Sequence, residues 1–426
     1  MSEKALWRRL VRWGVVLGLG ACFPELRWEP WVHQGGDTFS LPAMPLGSGE
    51  PASSTSAMLA ISSSAPAASV PALPTVDVPP EDEDLRRSAR QLAGLSTEAP
   101  PGPRRLRLEQ HAQTVNRSFD VFEESRGKAM LAWARKHLAA AEEGTVLYPF
   151  AGPDLITVRR FYPRARRYVL VALQEGGPPP DLSRLHLGAL NATLDLYERV
   201  FDAFARRGFF LTMHLGAGYR TPGSARGIGG VLLAFAEREG FQVLAAEPVK
   251  IRHDGGLERH SGPQEVPETW SSLRLHLRRP QDGARVLVDY LRVDLSDGAL
   301  ARDSGALALL EGLALGPVVL KAASHLLQQR GFSKLRGLLL ARTRQLVQDE
   351  TGIAYELLEP EFNIRLFGSF QGVNGLFDGR PQRRLQEAYA TRTDIEPLPF
   401  GIGYRKAGGS ALMVANRKEA APLSVP

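Results

Sequence analysis

Apolar positions recur at helical spacing through residues 107–142. Leu108, Ala112, Val115, Phe119, Phe122, Met130, Trp133 and Leu138 mark one face, and Gly144 stops the run. The period then changes. Residues 145–148 read as a short strand, 149–154 as a turn, 155–161 as a helix and 167–173 as a second strand. The near-continuous apolar run of that second strand fits burial on both faces, as in a βαβ unit. Helices are predicted at 182–207 and 229–239, and strands at 241–251, 272–279 and 284–295. The last two face each other across Pro280-Gln-Asp-Gly283 as a hairpin. Apolar runs at 299–313, 317–330 and 333–349 predict three more helices. A helix at 382–391 and a strand at 412–415 close the pattern. The alternation predicts an α/β fold: a mixed sheet with flanking helices over residues 105–418, as one domain or two closely packed subdomains.

Upstream of that body the periodicity disappears. Ser, Ala, Pro and Gly dominate residues 34–103, and no Lys or Arg occurs between Arg27 and Arg86. So few large apolar side chains cannot offset the entropy of ordering, so residues 22–104 are expected to form a disordered tether. The break Glu98-Ala-Pro-Pro-Gly-Pro103 marks its end, and residues 419–426 are expected to be a disordered tail. Before the tether stands a different pattern. Lys4, Arg8, Arg9 and Arg12 precede an apolar run from Trp13 to Ala21, which ends Leu19-Gly20-Ala21-Cys22. At about nine residues, the run falls well short of the roughly 20 that span a bilayer. Residues 1–21 resemble a bacterial lipoprotein signal peptide with its lipobox. That resemblance implies cleavage before Cys22 and lipid attachment to its thiol. It implies an exported protein held to a membrane by its lipid rather than by a spanning helix. Phe23 is not the Asp linked with inner-membrane retention, which points to the outer membrane, with the body in the periplasm or at the cell surface.

Composition narrows the chemistry. Apolar residues make up 43% of the 426 and charged residues 23%, enough for a globular core. A single cysteine excludes an internal disulfide and a thiolate zinc module. The net charge of +6 is mild and interspersed, so no nucleic-acid partner is expected. Neither G-x-G-x-x-G nor the P-loop pattern occurs, and H-E-x-x-H and G-x-S-x-G are missing too. The Gly-rich stretches at 216–223, 227–230 and 401–403 read as turns. His253, Glu258 and His260 share a Gly-rich loop without a metal-binding spacing. No metal and no cofactor are expected.

Three acids are candidates for acid–base catalysis: Asp154, Asp349 and Glu350. Asp154 precedes a predicted helix and fits an N-cap as well as a ligand or catalytic group. Lys321 and Ser324 fall in the apolar run predicted as a helix, where a lysine must snorkel, pair or line a cavity. Asp349 and Glu350 end the next predicted helix, where they fit solvated acids at a helix terminus, a cation or sugar site, or partners for Lys321. The body, over residues 140–416, resembles a family of uncharacterised bacterial secreted proteins and lipoproteins. The motifs are Tyr148-Pro-Phe-Ala-Gly-Pro-Asp154, Leu320-Lys-Ala-Ala-Ser324, Gln348-Asp-Glu-Thr-Gly-Ile353 with Tyr355, Phe367-Gly368 with Phe370, and Leu398-Pro-Phe-Gly-Ile-Gly-Tyr-Arg405. The spaced Phe377, Gln382, Leu385 and Tyr389 fit as well. The family pattern favours Asp where Glu350 stands and Pro where Ala354 stands. The resemblance brings no known activity, but it implies that the recurring polar motifs form a site. That adds Tyr355, Gln382, Tyr404 and Arg405 to Lys321 and Ser324 as candidate binding residues. The expected function is a lipid-anchored envelope protein whose body binds a ligand or a partner, such as an envelope protein or glycan. The alternative is an envelope hydrolase acting on glycan or peptidoglycan. An enzyme or ligand site requires Asp154, Lys321, Asp349, Tyr355 and Arg405 to converge on one cleft.

Overall fold

The computed structural model describes residues 79–138, 144–210, 227–260, 270–313, 316–372 and 382–418. The signal at 1–21, Cys22, the tether through residue 78, the loop at 216–223, Phe377 and the tail at 419–426 lie outside the described residues.

The fold is α/β, with a ten-stranded mixed sheet and helices on its faces. Three helices come first: α1 (Glu83–Leu92), α2 (Pro103–Phe122) and α3 (Lys128–His137). The unit β1 (Thr145–Pro149), α4 (Leu155–Phe161) and β2 (Arg167–Ala172) follows, then α5 (Leu187–Arg207) and α6 (Gly229–Arg238). Four strands run in succession: β3 (Gln242–Ile251), β4 (Leu257–Arg259), β5 (Ser272–Arg278) and β6 (Arg285–Arg292). Next are α7 (Asp297–Arg302), α8 (Ser304–Gly312), β7 (Pro317–Leu320), α9 (Ser333–Arg342) and β8 (Gln345–Asp349). The last elements are α10 (Tyr355–Leu358), β9 (Phe362–Gly368), α11 (Arg383–Thr391) and β10 (Ala411–Arg417).

The strand order is β4-β3-β5-β6-β2-β1-β7-β8-β10-β9. Its centre, from β6 to β8, is parallel, and both flanks are antiparallel. Side chains alternate across the central strands. Val146 and Tyr148 join a core with α1 to α6, through residues such as Leu92, Phe119, Leu155, Tyr197 and Phe235. Leu147 and Leu320 face the opposite core, against Leu300, Leu309 and Leu339 of α7, α8 and α9. Both faces are therefore covered, which is why these strands read as apolar runs. Helices that follow β1 and β2 cover one face, and those that follow β6 and β7 cover the other. From β1 the sheet grows to β2 on one side and to β7 on the other, so the order reverses between β1 and β7. In open α/β sheets such a reversal leaves a crevice at the C-terminal strand ends.

Several sequence expectations need correction. The ordered body begins by residue 79, not 105. Asp82 caps α1 through its side chain, its N–H donates to Leu244 O at 2.8 Å, and Ala89 and Leu92 are fully buried. Three apolar positions at helical spacing, Leu85, Ala89 and Leu92, are short enough to vanish between two proline-rich breaks. The runs at 317–330 and 333–349 are not two helices. The first is β7 followed by a tight turn and 3-10 segments, and the second is α9 followed by β8. Four- and five-residue strands buried on both faces carry no period that separates them from helix. Lys321 and Ser324 therefore lie in a strand-end turn, and Asp349 and Glu350 at the end of a strand. Glu258 lies on β4, paired with Lys250, rather than in a loop with His253 and His260.

Candidate functional site

The site is built on the turns that leave β1 and β7. Asp154 caps α4: its Oδ1 accepts the Thr157 N–H at 3.1 Å. Its Oδ2 accepts the Tyr148 hydroxyl at 3.1 Å and the Lys321 ammonium. Lys321 also donates to Thr157 Oγ1 at 2.9 Å and to the Gly208 carbonyl at 2.7 Å. Three protons thus meet three acceptors, and the whole assembly is buried. Desolvation raises the Tyr148 phenol far above its ordinary range, and the Asp154 charge pushes the same way. Asp154 is thus both a helix cap and half of a buried ion pair. The ammonium has no proton left for a substrate, and both Asp154 oxygens are already engaged.

Asp349 acts on the same turn from below. Its Oδ2 accepts the Ala322 N–H at 2.8 Å, and its Oδ1 accepts both the N–H and the hydroxyl of Thr351. Thr351 in turn accepts the Ala323 N–H on its hydroxyl at 2.8 Å and the His325 N–H on its carbonyl at 3.1 Å. Burial pushes the Asp349 carboxyl up against these hydrogen bonds. Held this way, the turn adopts a rare backbone. Phe150, Ala322, Ser324 and His325 are the non-glycine residues with positive φ among the described residues, and all leave β1 or β7. Each such conformation costs on the order of 1–3 kcal/mol and persists only where the surroundings enforce it. Gly403 completes the arrangement. At φ 61° it packs against Asp349, whose carboxylate would collide with any Cβ there, and it delivers Tyr404 onto the turn. The Tyr404 hydroxyl donates to the Ala322 carbonyl at 2.7 Å and stands 2.8 Å from Ser324 Oγ.

Above this turn lies a cleft of about 160 Å³. Its walls are mainly apolar: Phe150, Phe209, Phe210, Phe332, Leu326 and Val293. Among the described residues, Ser324, Tyr404, Asp294 and Gln174 supply its accessible polar side chains. The aromatic walls and Asp294 escaped the sequence reading. The one available signal was the polar Asp294 at the end of an apolar strand, on the edge where ligands gather.

The remaining candidates form a second cluster. Glu350 Oε1 accepts from Arg405 Nε at 3.2 Å, and Arg405 Nη2 donates to the Gly372 carbonyl at 2.7 Å. The Gln382 amide donates to the Glu350 carbonyl at 2.6 Å and accepts the Tyr355 N–H at 3.3 Å. Tyr355 turns its ring into a small core with Leu385 and Met413. Glu350 Oε2 is buried with no hydrogen-bond partner. Desolvation, reinforced by the Asp349 charge, raises the Glu350 carboxyl to about 7. The predicted convergence is therefore partial. Asp154, Lys321, Ser324 and Tyr404 line the cleft, and Asp349 supports its floor. Glu350, Tyr355, Gln382 and Arg405 do not line it. Among the described residues, no group of three His, Cys, Asp or Glu could hold a metal ion.

Fold and site together define an α/β protein with an aromatic cleft at the reversal point in the parallel centre of a doubly covered mixed sheet. No family model, curated protein or solved structure matches the chain.

Proposed function

We propose that the body is a binding module that takes a small, largely apolar molecule into the cleft over β1 and β7. The observation that carries this reading is the position of the strain. The left-handed non-glycine residues described in the chain all flank that cleft, and three of them, Phe150, Ala322 and Ser324, line it. Conformations of this cost cluster at ligand and catalytic sites. Hydrolysis by the candidate acids finds less support. Asp154 and Asp349 have their oxygens engaged, and Glu350 does not line the cleft. A general acid or base must reach a substrate proton within about 3 Å. The lipoprotein-like signal extends the proposal to a lipid-anchored envelope protein at the outer membrane.

A fragment screen tests the binding reading. Small aromatic fragments at ten times their Kd should stabilise the protein by about 1.4 kcal/mol in thermal unfolding. Leu326→Trp, which places a ring in the cleft, should abolish the shift. A stabilising shift that survives Leu326→Trp, or no shift from any fragment, would defeat the assignment. The anchor is tested by Cys22→Ser: retained membrane association without lipid labelling would rule it out.

A further inference from the structure

The polarity of the cleft singles out one class of ligand. Besides tyrosines, its titratable lining residues among those described are Asp154, Asp294 and Lys321, so two carboxylates face one ammonium and the described lining is net negative. The ammonium is not available to a ligand, because its protons go to Asp154, Thr157 and Gly208. Asp294 is exposed at the rim. Its Oδ1 accepts the Ser296 N–H at 2.9 Å, and Oδ2 has no partner among the described residues. Ser324 is an acceptor too. The Tyr404 proton goes to the Ala322 carbonyl, so the Ser324 hydroxyl must donate to the Tyr404 oxygen and turn its lone pairs outward. Gln174, also at the rim, can serve as donor or acceptor.

The usual anion position of such folds is closed. Phosphates sit where a strand-to-helix turn offers backbone N–H groups. Here the Asp154 carboxylate already takes the Thr157 N–H, and Pro153 has none to give. The walls favour the opposite charge. Phe150 and Phe332 meet edge-to-face at 6.0 Å, and Phe209 and Tyr404 at 4.9 Å. Aromatic faces attract cations. Size adds a limit: an apolar cavity of about 150 Å³ accepts one benzene ring.

We propose that the cleft binds a small organic cation, a protonated amine on an apolar body about the size of one aromatic ring. This rests on the binding reading above. Calorimetric titration of the full-length protein at neutral pH with phenethylamine, phenethyl alcohol and phenylacetate tests it. Phenethylamine should bind about tenfold tighter than the isosteric alcohol, and phenylacetate weakest. Asp294→Asn, at an exposed rim position, should reduce the advantage of the amine over the alcohol about fivefold. Equal affinities, a preference for phenylacetate, or an amine preference untouched by Asp294→Asn would overturn the cation assignment while leaving a binding cleft. No binding by any of the three probes overturns the cation assignment as well. A blank fragment screen beside it would remove the underlying reading too.

Discussion

Two acid–base pairs, each with a buried carboxylate, sit on neighbouring strands and behave differently. Lys321 with Asp154 is out of water on both sides, whereas Arg405 with Glu350 joins a half-buried cation to a buried carboxylate. In the first pair every proton has an acceptor and each carboxylate oxygen a donor. In the second, one oxygen of Glu350 has no partner, and the carboxyl is raised to about 7. The difference lies in the surroundings rather than in the residue types. A helix N-terminus and a tyrosine complete Asp154, whereas Glu350 meets one guanidinium and the like charge of Asp349. The same chemistry thus gives a fixed structural unit at the cleft and a titrating group beside it.

The largest predicted effect breaks the first pair. Lys321→Met leaves Asp154 buried without its counter-charge and should cost about 3–5 kcal/mol in denaturant unfolding. Adding Asp154→Asn to it should recover at least half of that loss, since the uncompensated charge goes with it. A single-variant loss under 1 kcal/mol would mean that the pair is not the closed unit described. The next effect concerns the turn that both pairs border. Gly403→Ala forces a Cβ against Asp349 at φ 61° and should cost about 2–3 kcal/mol. A neutral outcome in urea unfolding would show that the Asp349 support of the turn is slack.

The sequence exposed the elements of this arrangement more readily than their meeting place. β1, α4, β2 and the β5–β6 hairpin were legible because period and turn chemistry agree there. β7 and β8 were not. Pro317–Leu320 is an apolar tetrad next to Lys321, and a run that short carries the same pattern as one turn of a buried helix. Misplacing it moved Lys321 and Ser324 onto a helix and hid the cleft, since the cleft exists only where β7 lies beside β1. The residue types at the site were recognisable all the same. A lysine in an apolar run had to snorkel, pair or line a cavity, and Lys321 does the last two. The split of the motifs into two clusters was not legible. Asp349 and Glu350 are adjacent in sequence, and successive side chains at a strand end point to different sides. The aromatic walls come from turns and helices far apart in the chain, with no local signature.

A pH series sharpens the second pair. The folded Glu350 carboxyl titrates near 7, against 4.5 for an unperturbed one. Between those values the folded chain holds a proton that the unfolded chain has released. Stability from this group is therefore lost as pH rises through that window, and the loss is complete above about 7. Its size is on the order of 3 kcal/mol. Glu350→Gln should flatten this slope in urea midpoints measured at pH 5 and pH 8. An unchanged slope would assign the titration to another group. Asp349, raised in the same direction, leaves a residual slope in the variant.

The smallest effect separates the two regions by their tyrosines. Tyr404 donates to the Ala322 carbonyl beside the cleft, and Tyr389 donates to the Phe367 carbonyl at 2.8 Å near Glu350. Each Tyr→Phe change removes one hydrogen bond to a backbone carbonyl and should cost about 1 kcal/mol. Only Tyr404→Phe also releases the Ser324 proton, because the phenol oxygen that accepts it is gone. Ser324 can then donate into the cleft, which ceases to present mainly acceptors. The ratio of phenethyl alcohol to phenethylamine Kd should fall by about threefold in Tyr404→Phe, less than 1 kcal/mol. It should stay fixed in Tyr389→Phe. Equal ratios in both variants, at equal stability cost, would show that the Ser324 proton has no bearing on the cleft and that its lone pairs do not select the ligand.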